Sequence, residues 1–100
     1  MTISVVVPCF NEEESIPLFY REMERVRMGM GEKFEYIFIN DGSSDGTLSE
    51  LRKLHVTDSH VHYLSFSRNF GKEAALYAGL ERASGEYVTV MDVDLQDPPE

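Results

Sequence analysis

ISVVVPCFNEEESI, residues 3–16, frames the reading of the whole chain. Its first five residues form a short, β-branched run with no sustained polar alternation. That is the pattern of a strand buried on both faces, as in parallel sheets covered by helices on each side. Pro8 ends the run, since it has no N–H to give a sheet ladder. From Asn11 to about Met30, Ile16, Phe19, Met23, Val26 and Met30 recur at steps of three and four, one face of a helix. Asn11 with Glu14 reads as a capping pair at its start, and Gly29 and Gly31 as its end.

The pattern repeats along the chain. FEYIFIN (34–40) reads as a second buried strand, followed by the turn-rich DGSSDG. Thr47 and Glu50 have capping-box spacing, and Leu48, Leu51 and Leu54 continue a helix. HVHYLSF (60–66) is a third strand. KEAALYAGLERA (72–83) carries strong helix formers, with Gly85 placed as a stop. EYVTVM (86–91) is a fourth strand, also read as buried. The resulting order, β-α-β-α-β-α-β, predicts an α/β fold: a Rossmann-like open parallel sheet with helices on both faces. The polar residues after the fourth strand have no following element, so the reading expects a domain truncated there.

Composition narrows the function. With 42% hydrophobic residues among 100, the chain can build a core. A formal net charge of −9 argues against nucleic acid or an anionic membrane surface as a direct partner. Cys9 is the single cysteine, so no intrachain disulfide forms, which fits a reducing compartment. Neither a signal peptide nor an apolar stretch of membrane-spanning length is present, and the chain as given reads as soluble and cytosolic.

In open parallel sheets, ligands bind beyond the carboxyl ends of the strands, where strand order reverses. The residues to read are therefore PCFNEE (8–13), NDGSSDGT (40–47), SRNFGK (67–72) and DVDLQD (92–97). All four are rich in polar or turn residues. In DVD, an extended backbone points Asp92 and Asp94 to one face, with Cα atoms roughly 6–7 Å apart. Two converging carboxylates call for a cation, and an oxygen-only set suits Mg²⁺ or Mn²⁺. Gln96 offers a further amide oxygen, whereas Asp97 reads as local to the turn before Pro98. The bland alternative is a solvated acidic turn. DGSSDG is not a calcium loop, because Arg52 stands where the bidentate Glu is required. Asp45 and Ser44 read as helix caps, and Asp41 as an acceptor facing the cleft. SRNFGK opens a helix and offers backbone N–H groups to an anion, with Arg68 and Lys72 adding charge. The chain lacks both a nucleotide-triphosphate phosphate loop and a dinucleotide fingerprint. His60 and His62 read as surface residues, and Cys9 has no basic partner that would make it a nucleophile.

Together and in this order, VVVPCFNEEESI, FINDGSSDGT, SRNFGKEAALYAGL and GEYVTVMDVDLQDPPE resemble the family-two glycosyltransferases of GT-A fold. RNFGKEAAL with DLQDPPE is similar to the branch that transfers sugars to polyprenyl phosphates, such as bactoprenol glucosyltransferases and dolichol-phosphate mannose synthases. DVD departs from the more usual DAD there, a change that leaves both carboxylates in place. The resemblance implies that residues 1–100 are the nucleotide-sugar-binding half of a catalytic domain. Pro8, Phe10 and Glu12 would line the base and ribose pocket, with Asp41 bonding the base. Arg68 and Lys72 would lie near the nucleotide or its phosphates, and Asp92, Asp94 and Gln96 would hold the metal, Mg²⁺ or Mn²⁺. The donor would be a nucleotide-sugar, with a UDP-sugar favoured, and the acceptor a lipid phosphate in the full-length protein. Transfer would be inverting. The catalytic group would lie beyond Glu100, leaving this portion inactive by itself. The full-length protein would sit at the cytoplasmic face of a membrane through downstream segments. Two alternatives remain: a soluble family-two enzyme acting on a saccharide hydroxyl, and a non-catalytic nucleotide-sugar-binding portion. Homo-oligomerisation is left open.

Overall fold

The computed structural model describes residues 1–93. Its elements are β1 (Thr2–Cys9), α1 (Ser15–Met30), β2 (Lys33–Asn40), α2 (Thr47–Thr57), β3 (Val61–Ser65), α3 (Lys72–Arg82) and β4 (Tyr87–Val90). The alternation is the one the sequence predicts. All pairings are parallel, in the order β3-β2-β1-β4.

Successive residues of a strand point to opposite faces, so an interior strand feeds two cores at once. Val5 and Val7 of β1 join Phe19 of α1 and Leu51 of α2 in one cluster. Val6 joins Ile37, Ile39 and Ala75 of α3 in the other. Helices therefore cover both faces, α1 and α2 on one and α3 on the other. The chain moves one way across the sheet from β1 to β3, then returns past β1 to β4. A crossover of the same hand, run in the opposite direction, places its helix on the opposite face. Gly79 lets α3 settle closely: a Cβ there would stand 2.4 Å from Val6 Cγ1 and 2.7 Å from Ile39 Cδ1.

The last strand departs from the sequence reading. Every residue of β2 except Lys33 is buried, whereas all four residues of β4 are exposed. Among the described residues β4 forms an edge, hydrogen-bonded to β1. Its apolar residues resemble those of a buried strand, but among the described residues no helix covers them.

Three helix boundaries also differ. α1 starts at Ser15, and the expected Asn11–Glu14 cap does not form: Glu14 occupies the cap position without a side-chain hydrogen bond. Gly31, with φ of 70°, closes this helix as expected, its N–H donating to the Arg27 carbonyl. Thr47 is the first residue of α2 rather than its cap. Its N–H is accepted at 3.0 Å by Asp45, the capping role read for that residue. Gly85 lies beyond the α3 cap, Ala83, and donates its N–H to Ser4 Oγ at 2.8 Å.

One buried charge ties this region together. Glu35 of β2 accepts from Ser4 Oγ at 2.6 Å, Ser84 N at 3.0 Å and Ser84 Oγ at 2.7 Å. Burial alone would raise its carboxyl, but the hydrogen bonds from Ser4 and Ser84 outweigh that and hold it below its ordinary 4.5. Among the described residues, no helix is long and apolar enough to cross a membrane.

Candidate functional site

The strand order reverses between β1 and β4, so the carboxyl ends of these strands flank the switch point. A cavity of about 180 Å³ opens there, lined by Pro8, Phe10, Glu12, Asp41, Lys72 and Asp92, with Cys9 on its wall. Loops that follow β1, β2 and β4 and the start of α3 all contribute. Such a volume accepts part of a nucleotide-sugar, since pockets for ligands of that size run to roughly 300–1,000 Å³.

The loops after β1 and β2 are laced together. Asn11 N donates to Ser43 Oγ at 2.9 Å, and Asn11 Oδ1 accepts from Ser44 N at 2.8 Å. Glu12 N donates to Thr47 Oγ1 at 2.9 Å, and Gly46 N to Glu13 Oε1 at 3.0 Å. Asn11 reaches this geometry with φ of 54°, a left-handed conformation that asparagine tolerates better than most residues. Burial would raise the Asp45 carboxyl, but hydrogen bonds from Thr47 and Glu13 hold it below its ordinary range.

Asp41 is 3% exposed, and its carboxylate is engaged by the loop ahead of α3. Oδ1 accepts from Phe70 N at 2.8 Å, and Oδ2 from Gly71 N at 3.1 Å and Asn69 Nδ2 at 3.3 Å. This corrects the expectation that those backbone N–H groups offer an open anion site. The anion they hold is the protein's own carboxylate. Asp41 still lines the cavity, but its structural role is to fix the 69–71 backbone. Gly42 makes the same docking possible from its side: φ is 71°, and a Cβ would fall 2.2 Å from Arg68 C and 2.3 Å from Asn69 N.

The two basic candidates part company. Lys72 Nζ lies 3.1 Å from Asp92 Oδ1, on the cavity wall. Arg68 instead rests its guanidinium 4.8 Å from the centroid of the Phe70 ring, a cation–π contact that directs it away from Lys72's role. Phe10 presents a half-exposed ring, 48% accessible, suited to stacking on a flat ligand. Cys9 is 2% exposed, and burial, then the Glu12 charge, pushes its thiol far up; it stays protonated and unreactive. His60 is exposed and pairs with Asp58 at the opposite end of the sheet. His62 is partly buried, with Nε2 3.9 Å from Glu35 Oε1, rather than a plain surface residue.

Of the expected metal ligands, Asp92 lies within the described residues, while Asp94 and Gln96 lie outside them. Among the described residues, no three His, Cys, Asp or Glu side chains gather as a ligand set. Asp92 nonetheless fits such a role in kind: it is a carboxylate on the cavity wall, and it already has a cationic partner in Lys72. An oxygen ligand at an open rim suits a hard divalent ion that keeps positions for phosphate oxygens.

Sequence reasoning missed two parts of this arrangement. The lacing of Asn11 to Ser43 and Ser44 joins residues 32 and 33 apart, beyond any local motif. Glu35 did leave a signal, as a charged residue inside an otherwise apolar strand.

The family model described as "Glycosyl transferase family 2" matches residues 4–100. The bactoprenol glucosyl transferase of Shigella phage SfV is 55% identical over 100 residues, which cover 100% of this chain and 33% of that protein. The chain thus spans about a third of the length of such relatives. The structure resembles S. aureus TarS 1–349 in complex with UDP, with a TM-score of 0.77 at 25% identity, covering 94% of this chain and 28% of the other. It also resembles a mannosyltransferase from Pyrobaculum calidifontis in complex with GDP-Man and Mn²⁺: TM-score 0.69, 26% identity, 96% and 32% covered. The four-stranded parallel sheet, with helices on both faces, is that of GT-A glycosyltransferases. The chain belongs to glycosyl transferase family 2.

Proposed function

We propose that residues 1–100 are the nucleotide-sugar-binding half of an inverting, metal-dependent glycosyltransferase that uses a polyprenyl phosphate acceptor. The observation that carries this reading is the cavity at the switch point, where Pro8, Phe10, Glu12, Asp41, Lys72 and Asp92 converge from the ends of separate elements and the loops after them. The name of the 55%-identical relative, a bactoprenol glucosyl transferase, supports a lipid-phosphate acceptor over a saccharide hydroxyl.

In this reading Phe10 stacks on the base, and Pro8 and Glu12 shape the pocket for base and ribose. Asp41 holds the 69–71 loop as its edge and presents oxygens to the base. Lys72 neutralises donor phosphate charge, and Arg68 screens the nucleotide from further out. Asp92, Asp94 and Gln96 are the proposed ligands of Mg²⁺ or Mn²⁺, which when bound supplies positive charge opposite the leaving diphosphate. An acceptor phosphate oxygen is already anionic at neutral pH and needs little general-base assistance. A UDP-sugar is the favoured donor on the resemblance to the bactoprenol branch, although the solved neighbours include both UDP and GDP-Man complexes. A lipid acceptor places the full-length protein at a membrane surface, on the cytoplasmic side, through segments beyond residue 100.

Calorimetry on the full-length protein with UDP- and GDP-sugars, with and without Mn²⁺, tests this reading. Metal-dependent binding of one donor is expected, and Asp94→Asn is expected to abolish the metal dependence while leaving the fold intact. Binding that ignores metal, or no binding of either donor, contradicts it.

A further inference from the structure

The Lys72–Asp92 ion pair joins the start of α3 to the end of β4 on the cavity wall. Both side chains are well exposed, 62% and 68%, so the contact forms and breaks at little cost. Two further acids, Glu12 and Asp41, line the same cavity, and the Asp41 carboxylate is bonded by residues 69–71. One short stretch, 69–72, therefore holds Asp41 and Asp92 together, in a chain whose net charge is −9.

We infer that Lys72 is a resident stand-in cation, occupying Asp92 until a divalent ion and a nucleoside diphosphate arrive together. This rests on the reading of the cleft as a donor site. A divalent ion alone must displace the ammonium from Asp92 and leave two positive charges a few ångströms apart. A diphosphate arriving with the metal gives the ammonium a new anionic partner in the same cavity. Lysine suits the exchange: its charge is compact and its stem flexible, so one side chain reaches either partner. Metal and diphosphate then reinforce each other's binding, by the same factor in both directions.

The test is titration of full-length protein with Mn²⁺, read from the electron paramagnetic resonance of the free ion, with and without UDP. Lys72→Met is expected to tighten binding of Mn²⁺ alone by about two- to five-fold, the range that an exposed ion pair commands. The same substitution is expected to shrink the factor by which UDP tightens Mn²⁺, while Lys72→Arg stays near the unaltered protein. Unchanged or weaker binding of Mn²⁺ alone by Lys72→Met, with an intact circular dichroism spectrum, overturns the inference. Asp92→Asn separates the two levels. If it binds Mn²⁺ like the unaltered protein, or if the unaltered protein takes up none under either condition, the reading of the cleft fails as well. Loss of Mn²⁺ in Asp92→Asn without a gain in Lys72→Met removes the stand-in role alone.

Discussion

The two ends of the sheet carry similar charged groups and connect them differently. At the amino end, a cavity of about 130 Å³ is lined by Glu24, Arg27, Lys33, Phe34, Asp58 and His60. Its ion pairs are local: Arg27 with Glu24 three residues away, and His60 with Asp58 two away. Tyr36 and Tyr20 then donate to Glu24 and Asp58, at 2.7 and 2.5 Å. Burial, then these carboxylates, push both phenols well up, so they remain donors throughout the accessible range. Distant partners occur at both ends: Tyr20 and Asp58 lie 38 apart, while at the carboxyl end Lys72 and Asp92 lie 20 apart, Phe70 and Asp41 29, Asn11 and Ser44 33. At the amino end the longer-range bonds tie α1 to β2 and to the end of α2, fixing how elements pack. At the carboxyl end they tie loop to loop, which is what a binding site requires. The amino-end cavity is comparable in size, and on its wall Arg27 pairs with Glu24 and His60 with Asp58.

Substitutions can break that contrast. The largest effect is expected from Gly42→Ala, whose Cβ would meet Arg68 and Asn69 backbone at a φ of 71°. A loss of roughly 3 kcal/mol in urea unfolding is expected, together with loss of nucleotide binding. An equally stable Gly42→Ala would show that the two loops are not locked. Next comes Asp41→Asn, which removes the charge from three hydrogen bonds at a buried position. About 2 kcal/mol of stability is expected to go, with donor affinity falling alongside. Tyr36→Phe at the other end is expected to cost about 1 kcal/mol and to leave donor affinity unchanged in calorimetry. A drop in affinity there would mean that the ends are coupled after all.

The smallest effect is a slope. The folded Glu35 carboxyl lies below its ordinary 4.5, so the stability it contributes is complete above that value. That contribution is lost as pH falls through the folded value. Chemical unfolding followed between about pH 6 and pH 3 is expected to show a shallower acid decline in Glu35→Gln than in the unaltered protein. Identical declines would assign the acid sensitivity elsewhere.

The sheet was readable because strand identity is local chemistry: β-branched and aromatic runs at 3–7 and 34–40 give the same answer alone and in the fold. Among the described residues Tyr87, Val88 and Val90 are exposed although they have the composition of covered residues, because covering depends on neighbours and not on the strand itself. The site was legible to the level of loops. Parallel topology alone nominates residues after the strands, and seven of the nominated residues line one cavity. Their partners were illegible. Nothing in SRNFGK announces that its N–H groups are given to Asp41, and nothing local to Asn11 points to Ser44 instead of a helix cap. Capping motifs compete with tertiary hydrogen bonds of similar strength, and here the tertiary bonds prevailed at both 11 and 47.

The burial of Cys9 has a practical consequence. The sole thiol of the chain sits at the carboxyl end of β1, 2% exposed, and donates to the Val7 carbonyl at 3.4 Å. Alkylating reagents reach it only when the cleft end of the central sheet opens. The labelling rate of Cys9, followed on its own peptide by mass spectrometry, is therefore a built-in clock for local unfolding at the donor end. No engineered probe is needed to read it, and a ligand that fills the cavity should slow it.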